Sequence, residues 1–444
     1  MLANRERPRS RVLNSKEQNM NLKRWRFLSA IIGVAVLATT SALAQTQYEV
    51  VSLPALGGTA GQANSLNNRG WASGLANFAG DNIGHASLWV NGSSAIDLGA
   101  LGGSTANSAI AWPIKNDSGV IVGISETGQE NPLPEFFSCW PFFTPGTPST
   151  KVCQGFRWSQ GVMSALPPFP GGYNSYATAA NNRGQITGWA ENGVHDPTCD
   201  PAFQILQFRG VIWQPDGTMQ ELPPLAGDST STGNAINDIG QVVGISGACG
   251  VAVGDVSAAH AVLWENGLPI DLGNLGGHTW NTPTAINNHG TVVGFALQPG
   301  QEGTRNFQAF VWTKATGMQA LPMAPGDIRS EALGINDKDQ IVGLIRGPSG
   351  IRAVMWLKGT LIELNELTLP GSPYLLYAND INDAGKIAGE AFDPNTGSAP
   401  AFVAVPTPGN SASAGRSSNP VNIPSSVLNQ AERRGFRFGT DPRQ

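Results

Sequence analysis

The chain has 444 residues, 55 of them glycine and 31 proline, and only 13% are charged; this suits many turns and excludes a body of long amphipathic helices. The net charge of −5 is uneven: residues 1–44 hold eight Lys/Arg and two Glu, residues 406–444 five Arg and two acids, leaving 14 basic and 28 acidic residues (−14) in 45–405. An acidic body excludes nucleic acid as the main partner, because phosphate binding needs a basic footprint.

The N-terminus reads as a targeting segment. Lys23, Arg24 and Arg26 precede an apolar run from Phe27 to Val36 that continues through Leu37 and Ala38 and ends at Ala42-Leu43-Ala44, a small-x-small cleavage pattern. Residues 1–44 are therefore expected to be a signal peptide, with Met20 as the true start and cleavage near Ala44. The rival is an uncleaved anchor, since the run approaches spanning length. No second apolar span follows, so the rest is expected to be a secreted, soluble body that met the membrane only through this segment.

From Gln45 onward the chain is periodic. An element Asn-(Asp/Asn)-x-Gly-x-(Val/Ile)-x-Gly occurs seven times, led by Asn67, Asn116, Asn181, Asn237, Asn287, Asn336 and Asn382, at spacings of 49, 65, 56, 50, 49 and 46 residues. The sixth copy has Asp339 in place of the inner glycine, and Lys115 precedes the second copy's asparagine. Asn-Asp-x-Gly between apolar runs predicts a hairpin, with asparagine capping its own turn and glycine supplying positive φ. A short apolar strand ending in Trp89, Trp158, Trp213, Trp264, Trp312 and Trp356 follows the first six turns. The seventh, Ala401–Val405, lacks tryptophan. A strand ending in Leu-x-x-(Leu/Phe) appears at Leu53, Leu98, Leu166, Leu222, Leu272, Leu321 and Leu364. This makes four strands in about 50 residues, a propeller-blade length.

The ends are complementary. One orphan fourth strand, Tyr48 to Leu53, stands before the first turn, and one is missing after Val405. Pairing the two closes a ring and removes exposed sheet edges. The predicted fold is all-β: a seven-bladed β-propeller over 45–405, closed by the N-terminal strand joining the last blade. A linear solenoid is the rival and leaves the ends unexplained. The small residues of each first strand suit a crowded channel, and the tryptophans suit packing between blades.

The repeat breaks in the loops between second and third strands. In the second blade this loop runs from about Ser125 to Gln154 and holds Phe136, Phe137, Trp140, Phe142 and Phe143; in the third it runs from about Ala190 to Gln207 and holds His195. His278 and Trp280 lie on a fourth-to-first connection facing the same end. These eight residues are the candidate ligand contacts. An exposed aromatic cluster would mark a protein or sugar site; the opposing reading is a lid that buries its own aromatics. The four cysteines allow three pairings; their loops favour Cys139 with Cys153 and Cys199 with Cys249. Residues 406–444, rich in Pro, Ser, Asn and Gly, read as a disordered tail.

The repeat resembles the HAF-repeat family of bacterial extracellular proteins, in Leu272-Gly273-Asn274-Leu275-Gly276-Gly277, in Ile236-Asn237-Asp238-Ile239-Gly240-Gln241-Val242-Val243-Gly244 and in His260-Ala261-Val262-Leu263-Trp264. The naming triplet is incomplete at His85-Ala86-Ser87, His260-Ala261-Val262 and Gln308-Ala309-Phe310. The resemblance implies an exported repeat protein and no particular reaction.

Each turn offers at most one carboxylate, too few for calcium, so no metal and no cofactor are expected. His85 and His260 share a repeat position, which reads as hydrogen bonding within the blade. No nucleophile elbow, zinc helix, sialidase box or phosphate loop is found. A monomeric non-catalytic scaffold is the leading reading, binding a protein or polysaccharide. The alternatives are a carbohydrate-active enzyme (glycosidase or lyase) using carboxylates from two blades, and a structural envelope component.

Overall fold

The computed structural model describes residues 46–114, 116–135, 143, 149–407, 421 and 423–429. It contains seven four-stranded antiparallel sheets. Blade 4 shows the pattern: Thr230–Ile236 innermost, then Val242–Gly247, His260–Glu265 and Leu268–Asp271. Blade 7 takes Tyr374–Ile381, Ile387–Phe392 and Ala401–Thr407 from the end of the chain and Gln47–Leu53 from its beginning. That pairing runs in unbroken register from Gln47 opposite Thr407 to Leu53 opposite Ala401. The ring is closed as the complementary ends require. Among the described residues, no helix is long and apolar enough to cross a membrane.

The repeated asparagines fix the turns. Asn336 accepts the backbone N–H groups of Lys338 and Gln340 at 3.0 Å each, and Asn67, Asn181, Asn287 and Asn382 make the same pair of bonds. The inner glycines have positive φ, 88° at Gly240, and Asp339 adopts 55° in the sixth copy. The closing glycines serve close approach instead. A Cβ on Gly244 would lie 1.8 Å from the Thr232 carbonyl oxygen.

Three sets of bonds knit neighbouring blades. Asn181 donates its side-chain N–H to the Asn237 carbonyl, Asn237 to Asn287, Asn287 to Asn336, Asn336 to Asn382 and Asn382 to Asn67, at 2.9–3.1 Å. Each first strand except that of blade 2 carries a bulge three residues before its asparagine. The bulged Thr178, Asn234 and Thr284 donate to carbonyls of the next blade at 2.7–2.8 Å. Trp89, Trp213, Trp264 and Trp356 donate their indole N–H to the carbonyls of Pro54, Pro167, Pro223 and Pro322, which end the preceding blade's fourth strand. These tryptophans are almost wholly buried, so each joins apolar packing to one interblade bond.

Blade 2 departs from the pattern. Its first strand shrinks to Ser108–Ala109, and Pro113 stands where the other first strands carry their bulge. Ser65 of blade 1 supports the gap, accepting from Ile114 N–H at 2.8 Å and donating to Ile114 O at 3.1 Å. The last strand runs to Thr407, and residues 421 and 423–429 pack on the body, with a helical turn at 425–429.

Candidate functional site

The propeller has two different faces. The turn face gathers the asparagine turns around a depression of about 60 Å³, lined by Asn68, Asp117, Asn182, Asp238, Asn288, Asp337 and Asp383 among others. These seven form a closed circuit. Asn68 N–H donates to Asp117 Oδ1, Asp117 to Asn182, and so on round to Asp383 N–H donating to Asn68 Oδ1, all at 2.7–2.9 Å. Each turn's backbone N–H is held by the side-chain oxygen of the next, so the seven turns are tied into one ring around this mouth.

The loop face carries the repeat's irregularities. Over blades 2–5 the channel end is filled by one apolar cluster that includes Trp112, Tyr176, Trp189, Trp280, Phe295 and Phe307. Tyr176 and Trp189 have ring centroids 4.4 Å apart, Phe295 and Phe307 4.7 Å, and Trp280 and Phe307 5.3 Å. Trp280 is only 7% exposed and sits at φ 58°, a conformation a bulky side chain adopts only when its packing dictates it.

The loops around this cluster are stapled together. Cys199 of the blade 3 loop is disulfide-bonded to Cys249 of the blade 4 loop. Asp200 N–H donates to Gly250 O at 2.7 Å, and Gly250 N–H returns to Thr198 O at 3.1 Å. Cys153 is also disulfide-bonded; its expected partner Cys139 lies outside the described residues. The blade 2 loop is held by Glu135, whose carboxylate accepts from Leu206 N–H at 2.6 Å and Ile205 N–H at 3.1 Å. Gln204 donates to both Glu135 and Glu191 at 3.2 and 3.0 Å. Glu191 also accepts from Asn174 backbone and side chain, at 2.9 Å each. Burial, then the neighbouring Glu135 carboxylate, pushes the Glu191 carboxyl up to about 7; burial raises Glu135 as well.

The sequence candidates separate. Phe136, Phe137, Trp140 and Phe142 lie outside the described residues. Phe143 is partly buried against the aromatic cluster and Trp280 is buried within it. His195, opposite Leu206 at the end of a long second strand, and His278 are exposed. No described contact joins them. His85 is committed to its blade, Nδ1 to Asp97 at 2.7 Å and Nε2 to Ala106 O at 3.0 Å, and His260 pairs with Asp228 at 2.9 Å.

The carboxylates on or beside the innermost strands are likewise engaged. Glu331 pairs with Arg329 at 2.5 Å, Glu390 accepts from Gln62 at 2.9 Å, and Asp380 accepts from Leu66 N–H at 2.8 Å. Among the described residues no three His, Cys, Asp or Glu side chains form a metal group. The linked Glu135, Glu191 and Gln204 escape sequence reasoning, since two come from irregular loops. One sign was available: Glu126 and Glu191 both stand three residues after a closing glycine, and each holds the asparagine that heads its blade's first strand.

No protein-family profile and no curated protein matches the chain. Solved structures do. A streptogramin B lyase structure is 13% identical, covers 83% of this chain and 100% of its own, and has a TM-score of 0.45. Virginiamycin B lyase from Staphylococcus aureus is 10% identical over 81% and 100%, at 0.44. Puromycin hydrolase is 11% identical over 86% and 55%, at 0.43. At these scores the likenesses carry no argument about activity.

Proposed function

We propose that this chain is an exported propeller of the HAF-repeat kind that binds a protein or polysaccharide through its loop face and performs no chemistry on it. One observation carries the reading: the irregular loops of blades 2, 3 and 4 are fixed to one another by a disulfide, a buried carboxyl pair and a shared aromatic floor. The repeat alone would close the ring without them. Loops held this firmly lose little conformational entropy on binding, which is how a preorganised surface gains affinity. The exposed Val194 and His195 stand on this platform.

The test uses the mature chain on an array of bacterial and plant glycans and in a cell-envelope pull-down. Val194→Asp and His195→Ala should weaken capture at least fivefold, while Lys314→Ala, a substitution at the exposed blade 5 turn on the opposite face, should leave it unchanged. Loss confined to Lys314→Ala, or release of sugar fragments during incubation, overturns the reading.

A further inference from the structure

A groove of about 400 Å³ opens on the turn face, at the seam between blades 3 and 4. Its floor is apolar and buried, formed by Ile212, Leu222 and Trp264. Arg183, Gln185 and Gln220 line the blade 3 wall; Ile239, Gln241 and Glu265 line the blade 4 wall. The two walls are tied together by Asn181 to the Asn237 carbonyl at 3.0 Å and by Trp264 to the Pro223 carbonyl at 2.8 Å. Each wall is a hydrogen-bonded chain that starts at a turn asparagine. Asn181 donates to Gln185 Oε1 at 2.9 Å, Gln185 to Gln214 Oε1 at 3.1 Å and Gln214 to Gln220 Oε1 at 3.3 Å. Asn237 donates to Gln241 Oε1 at 2.7 Å, and Gln241 to Glu265 Oε1 at 2.6 Å. The first chain therefore ends on the Gln220 amide N–H, a donor, and the second on a carboxylate, an acceptor. The repeat shows why there is room between them. Four residues after the leading asparagine, blade 1 has Trp71 where blade 3 has Gln185. The Trp71 ring lies 3.4 Å from where a Cβ on Gly119 of the next blade would stand, and Gln185 Oε1 lies 3.6 Å from that point on Gly240. An amide in place of an indole leaves the seam unfilled.

We propose that this groove is a binding site for a neutral saccharide, taken one or two rings at a time. A hydroxyl donates and accepts at once, so a row of hydroxyls meets the donors of one wall and the carboxylate of the other. The C–H face of a sugar ring suits the apolar floor and the Ile239 side chain, which is 58% exposed at the rim. The volume falls within the range of about 300–1,000 Å³ that small-molecule sites occupy. The lining holds one cation, Arg183, and one anion, Glu265, whose outer oxygen also faces Lys314 at 3.7 Å. It therefore lacks the cluster of cations that recognition of a phosphate group uses, and its three glutamine amides carry no charge. The groove lies on the face opposite the blade 2–4 loops, so this site does not rest on what those loops bind.

The experiment titrates the full mature chain with methyl β-glucoside, methyl β-galactoside and methyl β-N-acetylglucosaminide, and with methyl phosphate and glycine as counter-probes, by saturation-transfer NMR. At least one sugar should bind, and neither counter-probe should. Gln185→Trp, which puts the blade 1 indole into the seam, should weaken sugar binding by about tenfold or more, and Arg183→Ala and Gln220→Ala by about threefold to tenfold each, the worth of one hydrogen bond. Val194→Asp, on the loop face, should leave the affinity unchanged, which separates this site from the loop platform. Arg183 and Gln220 are exposed, so their variants carry the test if Gln185→Trp fails to fold. Binding of no sugar, tighter binding of methyl phosphate or glycine than of any sugar, or sugar binding that survives Arg183→Ala with Gln220→Ala overturns the proposal.

Discussion

A methyl group on Gly244 would meet the Thr232 carbonyl oxygen at 1.8 Å, and the equivalent distances at Gly74, Gly188, Gly343 and Gly389 are 1.8–1.9 Å. Backbone cannot yield as a side-chain tip can, so Gly244→Ala should lower stability by about 3 kcal/mol or more. Gly128→Ala, at an exposed site with open space, should stay within about 0.5 kcal/mol; denaturant melts of the two variants check both. The glycines were legible in the sequence, but only the inner ones by their true cause: positive φ is a local property, whereas the closing glycines answer to a strand that lies across from them. Glu191 was not legible, because its shift comes first from burial in the folded ring and then from Glu135, more than fifty residues away. Its carboxyl is near 4.3 when unfolded and about 7 when folded. The folded state therefore binds the extra proton. The stability this contributes is complete below about pH 4.3 and is lost as pH rises to about 7. Wild-type Tm should fall across that window and Glu191→Gln should fall less; parallel Tm profiles would show that the pair does not carry the effect.

At the scale of elements, the third strand's tryptophan is the piece most readable in advance. Its indole N–H on a proline carbonyl of the preceding blade was not, since Pro54, Pro167, Pro223 and Pro322 look like mere strand ends until the blades stand side by side. Trp264→Phe, which forfeits the 2.8 Å bond to Pro223 O along with part of the packing, should cost about 1–3 kcal/mol by thermal unfolding. The Cys199–Cys249 bond spans 50 residues of sequence, and Cys199→Ser with Cys249→Ser should cost about 2–4 kcal/mol. Because the bond joins loops outside the blade sheets, protease cleavage near 196–204 should accelerate more than global unfolding does. Equal acceleration of both would place the disulfide in the global folding unit. The loops themselves resist reading for a physical reason: nothing periodic constrains them, and their partners come from other blades.

The ring itself was legible because periodicity and complementary ends are properties of the whole chain. Blade 7 is complete only when Gln47–Leu53 lies beside Ala401–Thr407. Deleting residues 45–53 should therefore remove cooperative folding, seen in calorimetry as loss or broadening of the main transition. A circular permutant joining Thr407 to Gln47 by a short turn and opened at the exposed 313–317 turn should retain it. A deletion variant with an unchanged transition would mean that the ring does not need its clasp.

Seven is odd, and the circuit on the turn face registers that parity. Around it run Asn68, Asp117, Asn182, Asp238, Asn288, Asp337 and Asp383, amide alternating with carboxylate until the last two. Alternation suits the chemistry, since Asn182 and Asn288 each have a spare N–H for the second oxygen of a neighbouring carboxylate, at 2.9 Å to Asp238 and to Asp337. An odd cycle cannot alternate throughout, so one pair of like groups is unavoidable, and here it is Asp337 beside Asp383 at the blade 6–7 seam. An even-bladed ring built from this repeat would have no such seam.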